Sequence, residues 1–317
     1  MKNDTANAAL LGAFVADAAA LGLHWLYDPE RIASVSAQAG GSAFVPINAA
    51  YYDNVPGYFA HGKRRDGMLS QYGECLRLAV DVVNEDDGIF DHAAYQRRFV
   101  GHFDMGGTYV GYIDRPTRAA VTNILGKLEP SGSDDDQLPA LTRLPAVVVA
   151  MHAKQALSEV VDGAIMITNV NEQATIYGRV FADLLSRLLE GQDRLDALNA
   201  CANAAPDDAG QLLHKALTTR ETDSVAYGAI TERACHLYQG MPLAFHILAN
   251  ASTFDDAVIR NINAGGDSCG RSIVIGSAMG AACGMTSIPE AWLNKLADRQ
   301  MLMDSCSKLA AAASPDK

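Results

Sequence analysis

The chain has 317 residues, 49% of them hydrophobic and 20% charged, enough to bury a large core as one big domain or two modest ones. A net charge of −12 and a pI near 5.0 argue against a nucleic-acid polymer or an anionic membrane as partner, and the basic triplet Lys63–Arg65 is too short to reverse that. No stretch is expected to reach the roughly 20 apolar residues that span a bilayer. Six cysteines without a CxxC or a short pairing read as reduced thiols, not as a disulfide framework or a zinc site.

Helical periodicity dominates. Leu10, Leu11, Phe14, Val15 and Ala18 recur at helical spacing within Thr5–Leu23. Asp4 precedes this apolar run, Asp17 interrupts it and Lys2 is its one positive charge, so it reads as the first core helix of a cytoplasmic protein and not as a signal peptide. A carboxylate at Asp17 needs a partner in such surroundings, with Arg143 or Arg271 as candidates. After His24-Trp25-Leu26-Tyr27-Asp28, Pro29 opens a short helix through Ile32. Val35–Met68, rich in Gly, Pro, Asn and Tyr, reads as a long surface excursion of the kind that lines sites.

Helical patterns resume at Ser70–Glu74, at His92–Phe103 and behind Pro116. Ser131–Gln137 is an acidic loop, either a solvated turn or a cover over a cationic or metal-bearing site. Leu138–Ala153 is apolar apart from Thr142, Arg143 and His152 and predicts one buried helix, kinked or delayed at Pro145. Asn169–Asn171 would cap Glu172–Leu189, with shorter helices at Leu195–Ala204, Ala209–Leu217 and Ser224–Ile230. Thr231–Ala251 reads as one helix bent at Pro242, and Pro289–Leu296 and a Met/Ala-rich helix close the chain. With no alternating strand and no fixed-period repeat, the expectation is an all-α single domain over residues 1–317.

The chemistry concentrates between Phe254 and Gly284. A helical run to Asn263 stops at Ala264-Gly265-Gly266, and Asp267 and Ser268 stand where the next helix, Ser272–Ala282, would be capped. Two glycines permit positive φ and a close approach of backbone to ligand. The free N–H groups of a helix start attract phosphates and carboxylates. Cys269 lies in the first turn, where a thiol pKa falls, with Arg271 as a nearby cation. The plainer alternative is a C-cap followed by an N-cap, with Cys269 a small buried hydrophobe.

These segments resemble the ADP-ribosylglycohydrolases. GAFVADAAALGLHWLYDPERI from Gly12, GYIDRPTR from Gly111, ITNVNEQA from Ile167 and GGDSCGRS from Gly265 occur in that family's order, covering nearly the whole chain. The HW-x-YD string and a Cys at position 269 are similar to the branch holding the J-type crystallins and selenoprotein J. The resemblance implies an orthogonal multi-helix bundle and a hydrolase that cleaves a ribosyl N- or O-glycosidic bond. It also implies two Mg²⁺ or Mn²⁺ ions held by a Thr-Asp-Asp motif and a Gly-Gly-Asp-x-Asp-Thr motif. Ser70, Gln71 and Tyr72 occupy the first motif here, and Asp267, Cys269 and Gly270 the second, so most hard carboxylate ligands are gone. At most one ion is then expected, on Ser70 and Asp267 with Glu74 in support, and no organic cofactor.

Under this resemblance Asp267, Cys269, Glu74 and His24 are the candidate catalytic residues. Gly265, Gly266, Ser268 and Arg271 would receive a phosphate or hydroxyl, Trp25 and Tyr72 a ring. Thr168, Asn169 and Asn171 would border the pocket or cap a helix. Three functions compete: ribosyl hydrolysis, thiol or redox chemistry at Cys269, and a non-enzymatic crystallin-like structural or ligand-binding role. The expected partner is a small ribosyl or nucleotide-like ligand; the sequence leaves the oligomeric state open.

Overall fold

A computed structural model describes residues 3–86, 88–151 and 157–313. Among the described residues there are sixteen α-helices and four 3-10 turns, and β pairing is confined to three isolated bridges. The protein is all-α, as its periodicity predicts.

The bundle is organised around two helices from opposite ends of the chain, Asn3–Ala20 and Ser268–Cys283. Both are rich in small residues, and the backbones pack directly. A Cβ built on Gly12 would lie 2.3 Å from the carbonyl oxygen of Gly276, and one on Gly276 would lie 2.3 Å from that of Gly12. One on Gly280 would fall 2.0 Å from the Ala8 carbonyl oxygen. Removing side chains from the seam lets two backbones make dense dispersion contact. Every residue from Ser268 to Ala281 is buried as a result.

By length and mean hydropathy, Asn3–Leu23 does match a membrane span (21 residues, 1.6), which corrects the sequence reading. Its apolar window is 94% buried inside the protein, so its hydrophobicity is spent on the core.

The Gln71–Glu85 helix meets this pair end-on. Gly73 makes room for the Asp17 side chain, since a Cβ there would sit 2.4 Å from Asp17 Oδ2. Ser70 caps this helix and Asp267 caps Ser268–Cys283, so two helix N-termini converge beside Asp17 at the end of the first helix.

Several boundaries differ from expectation. The Pro29 helix runs on to Ala39 and ends at Gly40, φ 76°. Leu138–Ala153 is not one helix: a 3-10 turn, Leu138–Leu141, precedes the helix Leu144–Met151, with Pro145 in its first turn where a missing N–H is harmless. His152 and Ala153 lie outside the described residues. Thr231–Ala251 is broken by positive φ at Glu232 and Arg233, and the helix begins only at Leu237. The last short helix is Glu290–Leu293, and Leu157–Met166 is a helix that the sequence reading passed over.

Candidate functional site

Asp267 is fully buried, yet each of its carboxylate oxygens is hydrogen-bonded. Oδ1 accepts from the Gly270 N–H at 2.8 Å and lies 3.0 Å from His24 Nε2; Oδ2 accepts from the Tyr72 hydroxyl at 2.9 Å. Burial alone would push the carboxyl pKa up. The bond and electrostatic attraction of His24, the Arg271 charge and the Gly270 N–H outweigh it and hold Asp267 below its usual value. An ionised Asp267 makes His24 Nε2 the proton-bearing nitrogen.

The other nitrogen, His24 Nδ1, is 2.7 Å from His61 Nε2. Burial, His24 and Arg64 lower the His61 pKa well below the ordinary histidine value, so His61 is neutral. With one proton on His24, at Nε2 against Asp267, His24 Nδ1 accepts and His61 Nε2 donates. His61 Nδ1 then carries a lone pair, and that buried atom has no partner. Asp267, His24 and His61 thus form a single hydrogen-bonded line ending in an unpaired base.

His61 was missed in the sequence. It lies in the aperiodic excursion after the second helix, and its one signal is a lone histidine in a Gly/Tyr-rich loop. Trp25 covers the line from outside. Its ring stacks on His24 at 4.3 Å, Tyr112 meets it edge-on at 5.2 Å, and Tyr58, half exposed, lies 5.9 Å away. Trp25 has φ 61°, strained for a bulky residue, and hydrogen bonds fix it: its N–H donates to the Gly266 carbonyl at 2.8 Å, and its carbonyl accepts from Tyr58. A hollow of about 310 Å³ lined by Phe59, Ala60, Gly62, Lys63, Gly111 and Tyr112 borders this roof.

Several expected roles do not survive. Gly265 and Gly266 do have positive φ, 78° and 69°, but they admit protein backbone, not ligand: a Cβ would lie 2.8 Å from the Leu26 carbonyl oxygen at Gly265 and 2.0 Å from that of Arg233 at Gly266. The N–H groups of residues 265–268 donate to Ile262, Leu26, Arg233 and Gly266, so no anion cradle is left there. Arg271 is no free cation. It is fully buried and spends its guanidinium on Asn261 Oδ1 and the carbonyls of Gly265, Asn261 and Arg233. Ser268 keeps a buried, unpartnered hydroxyl.

Cys269 is also fully buried, with Sγ 3.6 Å from the Asp17 carbonyl. Burial, with Asp17 and Asp267 adding to it, raises its pKa well above the ordinary thiol value, so the expected helix-activated thiolate is overturned. Asp17 pairs with neither Arg143 nor Arg271: the Ser70 N–H donates to it at 2.7 Å and the Ser70 hydroxyl also bonds it. Burial lifts its pKa to about 7 despite those bonds. Glu74 does not join Ser70. Arg64 and Arg77 hold it at 2.7 Å each and His102 Nε2 stands 3.3 Å away.

Thr168, Asn169 and Asn171 anchor chain segments. Thr168 accepts from Arg143, and Asn169 donates to the Asp135 carbonyl at 2.8 Å. Asn171 caps Glu172–Leu189 and ties Asp134 at 2.7 Å. The acidic loop is therefore pinned by amides, and Asp135 pairs with Arg115.

The donors present do not fit a dinuclear magnesium centre. Ser70 is committed to Asp17, Gln71 to Asp114, and Tyr72 donates to the very carboxylate that would be a ligand. Mg²⁺ requires several free hard oxygens in near-octahedral array.

A family model described as ADP-ribosylglycohydrolase matches residues 2–317. The chain belongs to the ADP-ribosylglycohydrolase family. Among its relatives, Crystallin J1A of Tripedalia cystophora is 26% identical over 317 aligned residues, covering 92% of each chain. Crystallin J1B of the same organism is 23% identical, covering 96% of each. A solved structure described as an ADP-ribosylglycohydrolase-related protein complex superposes with a TM-score of 0.68 at 18% identity, over 98% of this chain and 99% of that one, a likeness of fold.

Proposed function

We propose that this member of the family hydrolyses a ribosyl N- or O-glycosidic bond, in a small molecule or an ADP-ribosylated target, by proton transfer along Asp267, His24 and His61. The observation that carries the reading is the unpartnered Nδ1 of His61 at the far end of a line anchored on an ionised carboxylate. His61 Nδ1 takes a proton from water as the oxygen attacks the anomeric carbon. The Nε2 proton of His61 passes to His24 Nδ1, and the resulting imidazolium lies against Asp267, which stabilises it. The proton returns along the same line to the departing nitrogen or oxygen, and charge at the ring carbon is that of an oxocarbenium-like state. Trp25, Tyr58 and Tyr112 supply flat faces for a sugar or base once the roof opens.

The test is turnover of a panel of N- and O-ribosyl compounds by chelator-treated full-length protein. Turnover should persist without metal, fall by about 100-fold or more in His61→Gln, and survive Cys269→Ala. No turnover across the panel by folded wild-type protein, or turnover untouched by His61→Gln, refutes the reading. A second reading, a non-enzymatic structural or ligand-binding role, is favoured by the complete burial of Asp267 and Cys269 and by the two crystallin relatives. It predicts no turnover from a protein that melts cooperatively.

A further inference from the structure

We propose that His24, His61 and Cys269 form a binding site for one borderline-soft divalent transition ion, with Zn²⁺ as the type. A ring nitrogen of each histidine and the sulfur of Cys269 all lie within 4.8 Å of one another, and all three residues are buried. They come from the loop after the first helix, from the irregular excursion and from the first turn of Ser268–Cys283, so only the folded chain assembles them.

The surroundings are those of a built site. Asp267 Oδ1 holds His24 Nε2 at 3.0 Å, and the Tyr52 hydroxyl donates to the His24 carbonyl at 2.7 Å. Ring and backbone are both fixed, and Nδ1 is left for the cluster. A carboxylate behind a histidine in this way orients metal-bound imidazoles and raises their basicity. His61 supplies Nε2, which faces His24 Nδ1 at 2.7 Å. The long 3.6 Å contact from Cys269 to the Asp17 carbonyl leaves sulfur lone pairs available.

Two nitrogens and a thiolate select Zn²⁺ over Mg²⁺ or Mn²⁺, with a fourth position for water. The 2.7 Å between the histidine nitrogens is a hydrogen-bond distance. Two imidazole nitrogens on one tetrahedral ion, at bonds of about 2.0–2.1 Å, stand roughly 3.3 Å apart. The ion therefore takes the place of the shared proton, and the rings separate by about 0.6 Å. That proton moves to the His61 nitrogen left outside the ion, and Cys269 gives its own to solvent, so one proton is released per ion bound. Zn²⁺ would occupy His24 Nδ1 and leave His61 Nδ1 protonated, which blocks the proton line. Binding is measured without turnover and does not rest on the hydrolase reading.

The experiment uses the full chain stripped of metal by a chelator. Zn²⁺ is titrated calorimetrically in buffers of different ionisation enthalpy, and Co²⁺ is followed by absorption. We expect one Zn²⁺ per chain, about one proton released, a thiolate-to-cobalt charge-transfer band and a raised melting temperature. Cys269→Ser and His61→Gln should each weaken binding by about 100-fold or more. Cys283→Ser, which removes an exposed thiol elsewhere, should bind as the wild type does. Folded wild-type protein that takes up no stoichiometric Zn²⁺, uptake that survives both ligand variants, or a Co²⁺ complex without the thiolate band would overturn the proposal. The wild-type titration decides even where a variant fails to fold.

Discussion

His24 and Asp267 are 243 positions apart in the chain and 3.0 Å apart in space. Two features of the fold create that contact. The glycine seam of Asn3–Ala20 against Ser268–Cys283 brings the exit of the first helix to the start of the other. The Gly265-Gly266 turn then accepts the His24–Tyr27 backbone, with Trp25 N–H on Gly266 and Gly266 N–H on Leu26.

The seam makes a direct prediction. Gly276→Ala places a methyl group against the Gly12 carbonyl at 2.3 Å and should destabilise by about 1–3 kcal/mol or more. Gly101→Ala, in an exposed helical position with open space around it, should gain about 0.5–1 kcal/mol. Denaturant midpoints measure both, and equal effects would contradict the direct packing of backbones.

Glu74 should govern acid stability. Burial raises its pKa, but His102, Arg77 and Arg64 more than offset this and bring it from 4.5 down to about 2. A lowered acid contributes stability that is present above the unfolded pKa and is lost as pH falls through the folded one. Wild-type stability should therefore drop between about pH 4.5 and pH 2. Glu74→Gln should cost about 3 kcal/mol near neutrality and flatten that slope in pH-dependent urea unfolding.

Asp17 has the opposite sign. Its pKa, raised to about 7 by burial, means that stability is greatest below the unfolded value and declines as pH rises through about 7. Asp17→Asn keeps a group that can bond Ser70 and carries no charge. It should be more stable than the wild type at pH 8 by roughly 1–4 kcal/mol, with the gap closing toward pH 4. A gap that does not change with pH would show that Asp17 is not held protonated by its surroundings.

Cysteine reactivity separates the burial of Cys269 from the activated thiolate that its place in the sequence suggests. In native protein, alkylation followed by peptide mass analysis should label exposed Cys283 first and leave Cys269 unlabelled until unfolding. Early labelling of Cys269 would reinstate thiol chemistry.

Much of the fold was legible because helical periodicity and caps are local: His92–Phe103 and Glu172–Leu189 match their predicted spans. The break at Glu232–Arg233 was not legible, because positive φ at those two residues comes from tertiary contact, including the donation of Asp267 N–H to the Arg233 carbonyl. At the site, Asp267 and His24 carried local signals, a helix cap and a motif. His61 did not, since only the path of the irregular excursion carries it to His24. The cysteines gave no zinc spacing for the same reason: the proposed partners of Cys269 are histidines distant in sequence. Arg271 and the glycine pair read as a ligand cradle because sequence shows donors but not the carbonyls that occupy them.

The account rests on a proton-sharing line from Asp267 through His24 to His61, and long-range ¹H–¹⁵N spectra of the imidazole rings in metal-free full-length protein at pH 8 test it most directly. The predicted result is His24 protonated at Nε2 and His61 protonated at Nε2 with a bare Nδ1. A His61 ring protonated at Nδ1, or a His24 ring bare at Nε2, would contradict it.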